Sequence, residues 1–229
     1  MKLSIVIPVY NEKDTISEII NRVLNAEVDA DKEIIIVDDC SKDGTRDVLK
    51  KLSESKSDLN IIFKENNSGK GDTLKEGFKY TSGDYVIVQD ADLEYSPSDY
   101  QKLLELVKDK KNVAVYGSRF SGDYEDMTNL HFFGNKLLTM LTNLIFRVSL
   151  TDMETCYKLI PGDFARRLDI KSKRFNFEPE ITAKILKSGM GIIEVPITYK
   201  GRSFSEGKKI TWKDGLSAVC TLIRFKFRD

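Results

Sequence analysis

The chain has 229 residues, a length that suggests one domain with an elaborated end, or at most two. Its 36 Lys and Arg balance 36 Asp and Glu, so no global positive field draws it to nucleic acid; 41% hydrophobic residues and only 5 prolines exclude the disordered, collagen-like and polytopic membrane classes. Three cysteines, Cys40, Cys156 and Cys220, are odd in number and far apart, which gives neither a disulfide framework nor a CxxC metal pair and favours a reducing compartment.

In chain order, Leu3 to Val9 and Glu33 to Val37 are β-branched runs, each followed by polar residues and then by helix-period sequence. After the first, Asn11 and Asp14 resemble a capping box, and Ile16, Ile19, Ile20, Val23 and Leu24 fall on one helical face. After the second, a helix opening near Asp43 carries Val48, Leu49 and Leu52. Asn60 to Lys64 and Tyr85 to Gln89 predict two more strands, with a helix from about Asp72 to Tyr80 between them. Ser96 and Pro97 read as N-cap and N1 of a helix that turns Tyr100, Leu103, Leu104 and Val107 inward. Val113 to Tyr116 predicts a fifth strand. Further on, Phe133 to Phe146, Phe177 to Leu186 and Trp212 to Phe227 read as helices, and Ile192 to Tyr199 as a strand. No Gly, Ser or Pro linker separates the two parts.

Five strands alternating with helices imply a mostly parallel sheet covered on both faces, because parallel neighbours need crossovers. Ligands in such α/β sheets bind at the carboxyl ends of the strands. Chemistry is therefore expected in Tyr10 to Glu12, Asp38 to Asp43, Asn66 to Gly71 and Asp90 to Glu94. In an extended backbone Asp90 and Asp92 point to the same side, and their repulsion is relieved by a divalent cation that also takes diphosphate oxygens; Glu94 is a third candidate oxygen ligand. Asp39 can accept from a nucleobase or ribose, while Ser41, Asp43 and Gly44 read as turn and cap chemistry. Asn67 to Gly71 lacks the spacing of a P-loop but offers backbone N–H groups and Lys70 to an anion.

Pro8-Val-Tyr-Asn-Glu12, Asp38-Asp-Cys-Ser-Lys-Asp-Gly-Thr45, Gly69-Lys-Gly71 and Asp90-Ala-Asp92, in this order, resemble family 2 glycosyltransferases of the GT-A fold. The second half is similar to the polyprenyl-phosphate (dolichol-phosphate) mannose or glucose synthase branch through Tyr116-Gly-Ser-Arg119-Phe, the stretch Thr151 to Lys158, Phe177-Glu-Pro-Glu180, and Glu194-Val-Pro-Ile197 followed by Arg202 and Lys208. The resemblance implies a Rossmann-like GT-A catalytic domain over 1–229, with residues 1–120 binding the nucleotide sugar and 121–229 the acceptor. It further implies that Pro8, Tyr10, Glu12, Val37 and Asp39 hold the nucleoside, with Lys70 and Ala91 beside the donor. Asp90, Asp92 and Glu94 would bind Mg²⁺ or Mn²⁺, Arg119 would serve a phosphate, and Arg202 with Lys208 the diphosphate. The chain departs from the branch where an Arg-x-x-x-Ser step grips the lipid phosphate; here His131 and Asn135 stand in those places.

The implied reaction is an inverting transfer of a hexose from a nucleotide sugar to polyprenyl phosphate. A phosphate monoester is largely dianionic at neutral pH and needs no general base. Were the acceptor a saccharide hydroxyl, Asp152 and Glu154 would be the candidate bases. A non-catalytic nucleotide-sugar-binding protein is the alternative of another class. A lipid acceptor places the enzyme on a membrane surface, peripheral on the inner, cytoplasmic face, alone, as a homo-oligomer or with a membrane partner. The N-terminus does not read as a signal peptide, and Leu130 to Leu150 is too interrupted by polar residues to span a bilayer. Residues 130–147 and Leu222 to Arg228 instead mix large apolar side chains with cations, as interfacial helices do. From Tyr199 onward there are eight Lys or Arg against three Asp or Glu. Leu137, Leu138, Leu141, Leu144 and Ile145 suit either an interface or a core.

Overall fold

The computed structural model describes residues 1–56, 58–110, 112–122, 124–125, 128–174, 176–202 and 212–228. The first half alternates strand and helix: β1 (Lys2–Val9), α1 (Ile16–Asn25), β2 (Asp31–Asp38), α2 (Thr45–Ser55), β3 (Leu59–Phe63), α3 (Lys70–Phe78) and β4 (Tyr85–Val88). A 3₁₀ turn (Pro97–Asp99) leads into α4 (Tyr100–Glu105), then β5 (Val113–Ser118). The second half adds β6 (Tyr124–Glu125), α5 (Asn129–Phe146), β7 (Lys158–Pro161), α6 (Gly162–Arg167), α7 (Phe177–Lys187), β8 (Gly191–Pro196), β9 (Tyr199–Lys200) and α8 (Trp212–Phe227).

Seven strands form one sheet in the order β3-β2-β1-β4-β7-β5-β8, and β6 pairs with β9 in a small second sheet. All pairings in the large sheet are parallel except those of β7. Leu3 to Ile7 of β1 and Ile34 to Val37 of β2 are buried without alternation, as expected of strands covered on both faces. Gly77 lets α3 lie directly on them, since a Cβ there would come within 2.5 Å of Val6 Cγ1. The inward set Ile16, Ile19, Ile20 and Val23 of α1 is fully buried, as the periodicity predicts.

Several boundaries differ from the sequence reading. No capping box opens α1. Asn11 adopts a left-handed φ of 53° and its Oδ1 accepts from Lys42 N at 2.9 Å, so it braces the neighbouring loop instead. Helix α2 begins at Thr45, with Asp43 accepting from Thr45 N and Oγ1, and α3 begins at Lys70, two residues before the expected start. The run expected as one strand from Ile192 to Tyr199 is two, β8 and β9. The chain leaves β5 after Pro196, and Asp99 then accepts from Thr198 N at 2.9 Å. The fifth strand exists but does not adjoin β4, because antiparallel β7 is inserted between them.

Candidate active site

The strand tips carry an unusual backbone. Asn11, Cys40 and Leu93, just past β1, β2 and β4, all have positive φ, at 53°, 62° and 65°. For Cys and Leu this conformation costs energy and persists only where surroundings enforce it. Leu93 stands between Asp92 and Glu94, so the acidic segment is a turn beyond β4, which ends at Val88, and not the extended strand that the sequence reading assumed. Gln89 holds this turn. Its side chain is fully buried, Oε1 accepts from the hydroxyls of Tyr100 and Tyr157 at 2.6 Å each, and Nε2 donates to Asp90 O at 3.0 Å.

Asp90 and Asp92 come together on one acidic patch. Lys70, at the start of α3, lies 2.8 Å from Asp90 and 2.9 Å from Glu178 of α7. Burial would raise the Asp90 carboxyl, but the Lys70 ammonium holds it below the usual carboxylate range. Burial, followed by the charges of Asp90 and Glu94, pushes Asp92 up to about 7, with Arg202 opposing. Glu94 is near enough for its charge to act on Asp92, while no group of three His, Cys, Asp or Glu among the described residues is already gathered for a metal ion. Glu94 accepts from the Tyr199 hydroxyl at 2.8 Å and from Arg202 N at 2.9 Å, while its carbonyl accepts from Lys200 N. It fastens the strap 199–202 across the strand tips.

That strap delivers Arg202. Its guanidinium meets both Glu12 oxygens at 3.1 Å and lies 3.5 Å from Asp92 Oδ2. Residues 190 positions apart thus share one ion pair. Lys208 lies outside the described residues.

Pro8 and Val37 are register partners in β1 and β2, with Tyr10 half-buried just beyond. The Val37 and Ala91 side chains are buried, and Val37 packs toward Gly77, so it supports the site from beneath. Asp39 is 2% exposed and its oxygens accept from Ser68 N, Gly69 N and Lys64 Nζ. Burial opposes ionisation, but Lys64 and those amides keep its carboxyl low. Asp39 therefore shapes the 64–69 loop, a use that its place after β2 did not disclose. Lys70 likewise serves as an internal counter-ion to Asp90 and Glu178.

Arg119 follows β5 and is 6% exposed. Its Nε and Nη2 bond Asp152 at 2.7 and 2.8 Å, and its backbone N donates to Asp152 at 3.0 Å. Asp152 is fully buried and its own loop is held by Glu194, which accepts from Thr151 N and Asp152 N. Both Asp152 oxygens are thus engaged by Arg119. Glu154 is raised to about 8 by burial and then by Glu178, and its Oε1 is buried with no hydrogen-bond partner. His131 shares a 2.8 Å hydrogen bond with Thr128, the N-cap of α5, and Asn135 follows one turn later. Lys136 was missed by the sequence reading: its Nζ lies 4.2 Å from the Phe120 ring centroid, with the Arg119 guanidinium at 5.5 Å from the same ring. Only the fold brings these two cations onto one aromatic.

Residues 4–166 match the family model described as Glycosyl transferase family 2. This chain belongs to family 2 of the glycosyltransferases. The glycosyltransferase is 32% identical over 215 residues to a dolichol-phosphate mannosyltransferase of Pyrococcus furiosus, covering 91% of the chain. It spans 59% of that relative's length. It is 27% identical to an undecaprenyl-phosphate mannosyltransferase of Micrococcus luteus, covering 91% of the chain and 87% of the relative. A polyprenol monophosphomannose synthase of Mycolicibacterium smegmatis is 26% identical, over 89% of the chain and 79% of the relative. Among solved structures, glucosyl-3-phosphoglycerate synthase of Mycobacterium tuberculosis, crystallised with Mn²⁺, UDP and glucosyl-3-phosphoglycerate, superposes with a TM-score of 0.71 at 17% identity. The superposition covers 100% of the glycosyltransferase and 81% of that chain, and it carries the fold, GT-A.

Proposed function

We propose that this glycosyltransferase moves a hexose, mannose or glucose, from a nucleotide-diphosphate sugar to polyprenyl phosphate at a membrane surface, with inversion at the anomeric carbon. The observation that carries the reading is the convergence of Asp90, Asp92 and Arg202 at the strand tips, in a chain 32% and 27% identical to relatives named for dolichol-phosphate and undecaprenyl-phosphate.

Asp90 and Asp92 are hard oxygen donors, and with Glu12, Glu94 and Glu178 beside them five carboxylates face the two cations Lys70 and Arg202, an acidic excess that fits Mg²⁺ or Mn²⁺ bound by two carboxylates and the donor's diphosphate. Such a cation would neutralise charge as the nucleoside diphosphate departs. Arg202 stabilises the same developing anion, and the strap fastened by Glu94 orients it. Pro8, Tyr10 and Glu12 at the tip of β1, with the loop ordered by Asp39, form the nucleoside end. Arg119, through the Nη1 that its bonds to Asp152 leave unused, would meet the acceptor phosphate, with His131 and Asn135 at the start of α5 as further donors. A phosphate dianion is already the nucleophile, so positioning suffices.

The acceptor's lipid calls for an apolar surface. Phe133, Leu137, Met140 and Leu144 form an exposed stripe along α5, and Leu216, Ile223 and Phe227 another along α8. The two helices pack through Leu138, Leu150, Met153, Ala218 and Leu222, so the leucines the sequence left undecided divide: Leu138 is core, Leu137 and Leu144 face outward. Exposed Arg147, Arg224 and Arg228 flank the stripes and suit anionic headgroups. No helix among the described residues is long and apolar enough to cross a membrane.

The test is transfer of label from GDP-mannose or UDP-glucose, with Mn²⁺, to polyprenyl phosphate. An organic-soluble product that is stable to base and labile to mild acid supports the reading. Label confined to the aqueous phase for every common donor refutes it.

A further inference from the structure

Asp90 is capped by a cation from the protein itself. Lys70 Nζ lies 2.8 Å from Asp90 Oδ1 and 2.9 Å from Oδ2, so a single ammonium spans both oxygens a metal would use. The same ammonium lies 2.9 Å from Glu178 Oε1, and Glu178 is 6% exposed in the first turn of α7. An ammonium taken from water is costly to leave unpaired. Glu178 removes that cost, because Lys70 can release Asp90 and keep a carboxylate.

The surroundings restrict the movement to the side chain. Gly71 N and Asp72 N both donate to Lys173 O, at 3.1 and 3.4 Å, which ties the start of α3 to the segment before α7. Gly71 has no room for a side chain, since a Cβ would lie 2.0 Å from Ser172 O. The helix start that carries Lys70 and the segment leading to Glu178 are therefore one packed unit.

We infer that Lys70 is an internal gate on the metal position: it occupies Asp90 until the donor's diphosphate and the divalent cation arrive, then turns to Glu178 and the diphosphate. The inference rests on the metal reading proposed above and adds an order to it. A metal alone competes with Lys70 for Asp90, whereas a diphosphate draws the ammonium away. Metal and nucleotide therefore bind with positive coupling, each raising the other's affinity by the same factor.

The experiment follows Mn²⁺ uptake by loss of the free-ion EPR signal, with Mn²⁺ alone and with UDP or GDP added. Lys70→Met should bind Mn²⁺ alone roughly tenfold or more tightly than the natural chain, because a repelling charge has gone, and its metal–nucleotide coupling should fall below that of the natural chain, leaving the part the diphosphate supplies by ligating the metal itself. Glu178→Gln, which leaves Lys70 only Asp90, should bind Mn²⁺ alone more weakly. If Lys70 is only a structural pin or only a diphosphate ligand, Lys70→Met leaves affinity for Mn²⁺ alone unchanged or lower, and the gate is refuted. Should Lys70→Met fail to fold by circular dichroism, Glu178→Gln decides by its opposite sign, and unchanged Mn²⁺ binding there refutes the gate. Asp90→Asn separates the two levels. Equal Mn²⁺ uptake by Asp90→Asn and the natural chain sinks the metal reading and the gate together, while loss of uptake there beside an unaltered Lys70→Met sinks the gate alone.

Discussion

Arg119→Met tests whether the Arg119–Asp152 pair anchors the acceptor end. The substitution keeps most of the side chain's length and removes the guanidinium. Asp152 would then be a fully buried carboxylate that has lost both partners on the Arg119 side chain, at 2.7 and 2.8 Å, and keeps only the Arg119 backbone N–H. Leaving one member of a buried pair uncompensated costs about 3–5 kcal/mol. For a chain of this size that is a fall in Tm of roughly 6–20 °C. Stacking adds to the loss, since the guanidinium lies 5.2 Å from the Tyr199 ring centroid and so props the strap that carries Arg202. Urea unfolding of Arg119→Met, Asp152→Asn and the double variant gives the coupling energy directly. The double variant should be more stable than the two single losses added together, by about 2 kcal/mol or more. Loss of less than about 1 kcal/mol in Arg119→Met, or simple additivity in the cycle, would refute the anchoring argument.

Three further outcomes follow from other parts of the molecule. Burial opposes ionisation of Glu33, yet the Ser4 and Ser82 hydroxyls, Lys2 and Ser82 N hold its pKa down at about 2. A depressed carboxylate stabilises above its ordinary value near 4.5 and loses that contribution as pH falls toward 2; after solvent screening, the natural chain should lose about 1–2 kcal/mol more than Glu33→Gln between pH 5 and 2 in urea titrations. Gly71→Ala drives a Cβ into Ser172 O and should cost about 1–3 kcal/mol by denaturant unfolding while weakening UDP or GDP binding in calorimetry; unchanged values in both would show that the two segments are not in contact. Leu144→Glu, at a position 76% exposed, should leave stability within about 0.5 kcal/mol and reduce sedimentation with anionic vesicles several-fold, and undiminished sedimentation would place the bilayer on another face.

The first half of the fold was legible because its signals are local. An unbroken apolar run such as Leu3 to Val9, then a polar cluster, then residues at helical spacing, is a strand, a tip and a helix whatever the rest of the chain does. The places of Asp90, Asp92 and Glu12 followed from that order. What stayed hidden depends on distant partners. Strand β7 is four residues long, and its meaning lies in pairing with β4 and β5 far back in the chain. Lys70 read as a loop cation for a ligand, yet the partner that explains it, Glu178, is 108 residues away. Asp39 and Glu94 were placed by their positions after the strands and by resemblance, and neither showed the hydrogen bonds to Ser68 and Gly69, or to Tyr199 and Arg202, that they make in the fold. The positive φ of Leu93 left no mark in composition or period, so the acidic segment was read as extended when it turns.

The central claim is that Asp90 and Asp92 seat a cation that engages the donor's diphosphate opposite Arg202. A crystal grown with Mn²⁺ and UDP or GDP, with data collected at the manganese edge, tests it most directly. An anomalous peak bonded to an oxygen of Asp90 or Asp92 and to the diphosphate, with Arg202 turned from Glu12 toward the phosphates, is the predicted result. A diphosphate bound away from these residues, or a peak elsewhere, would contradict the account.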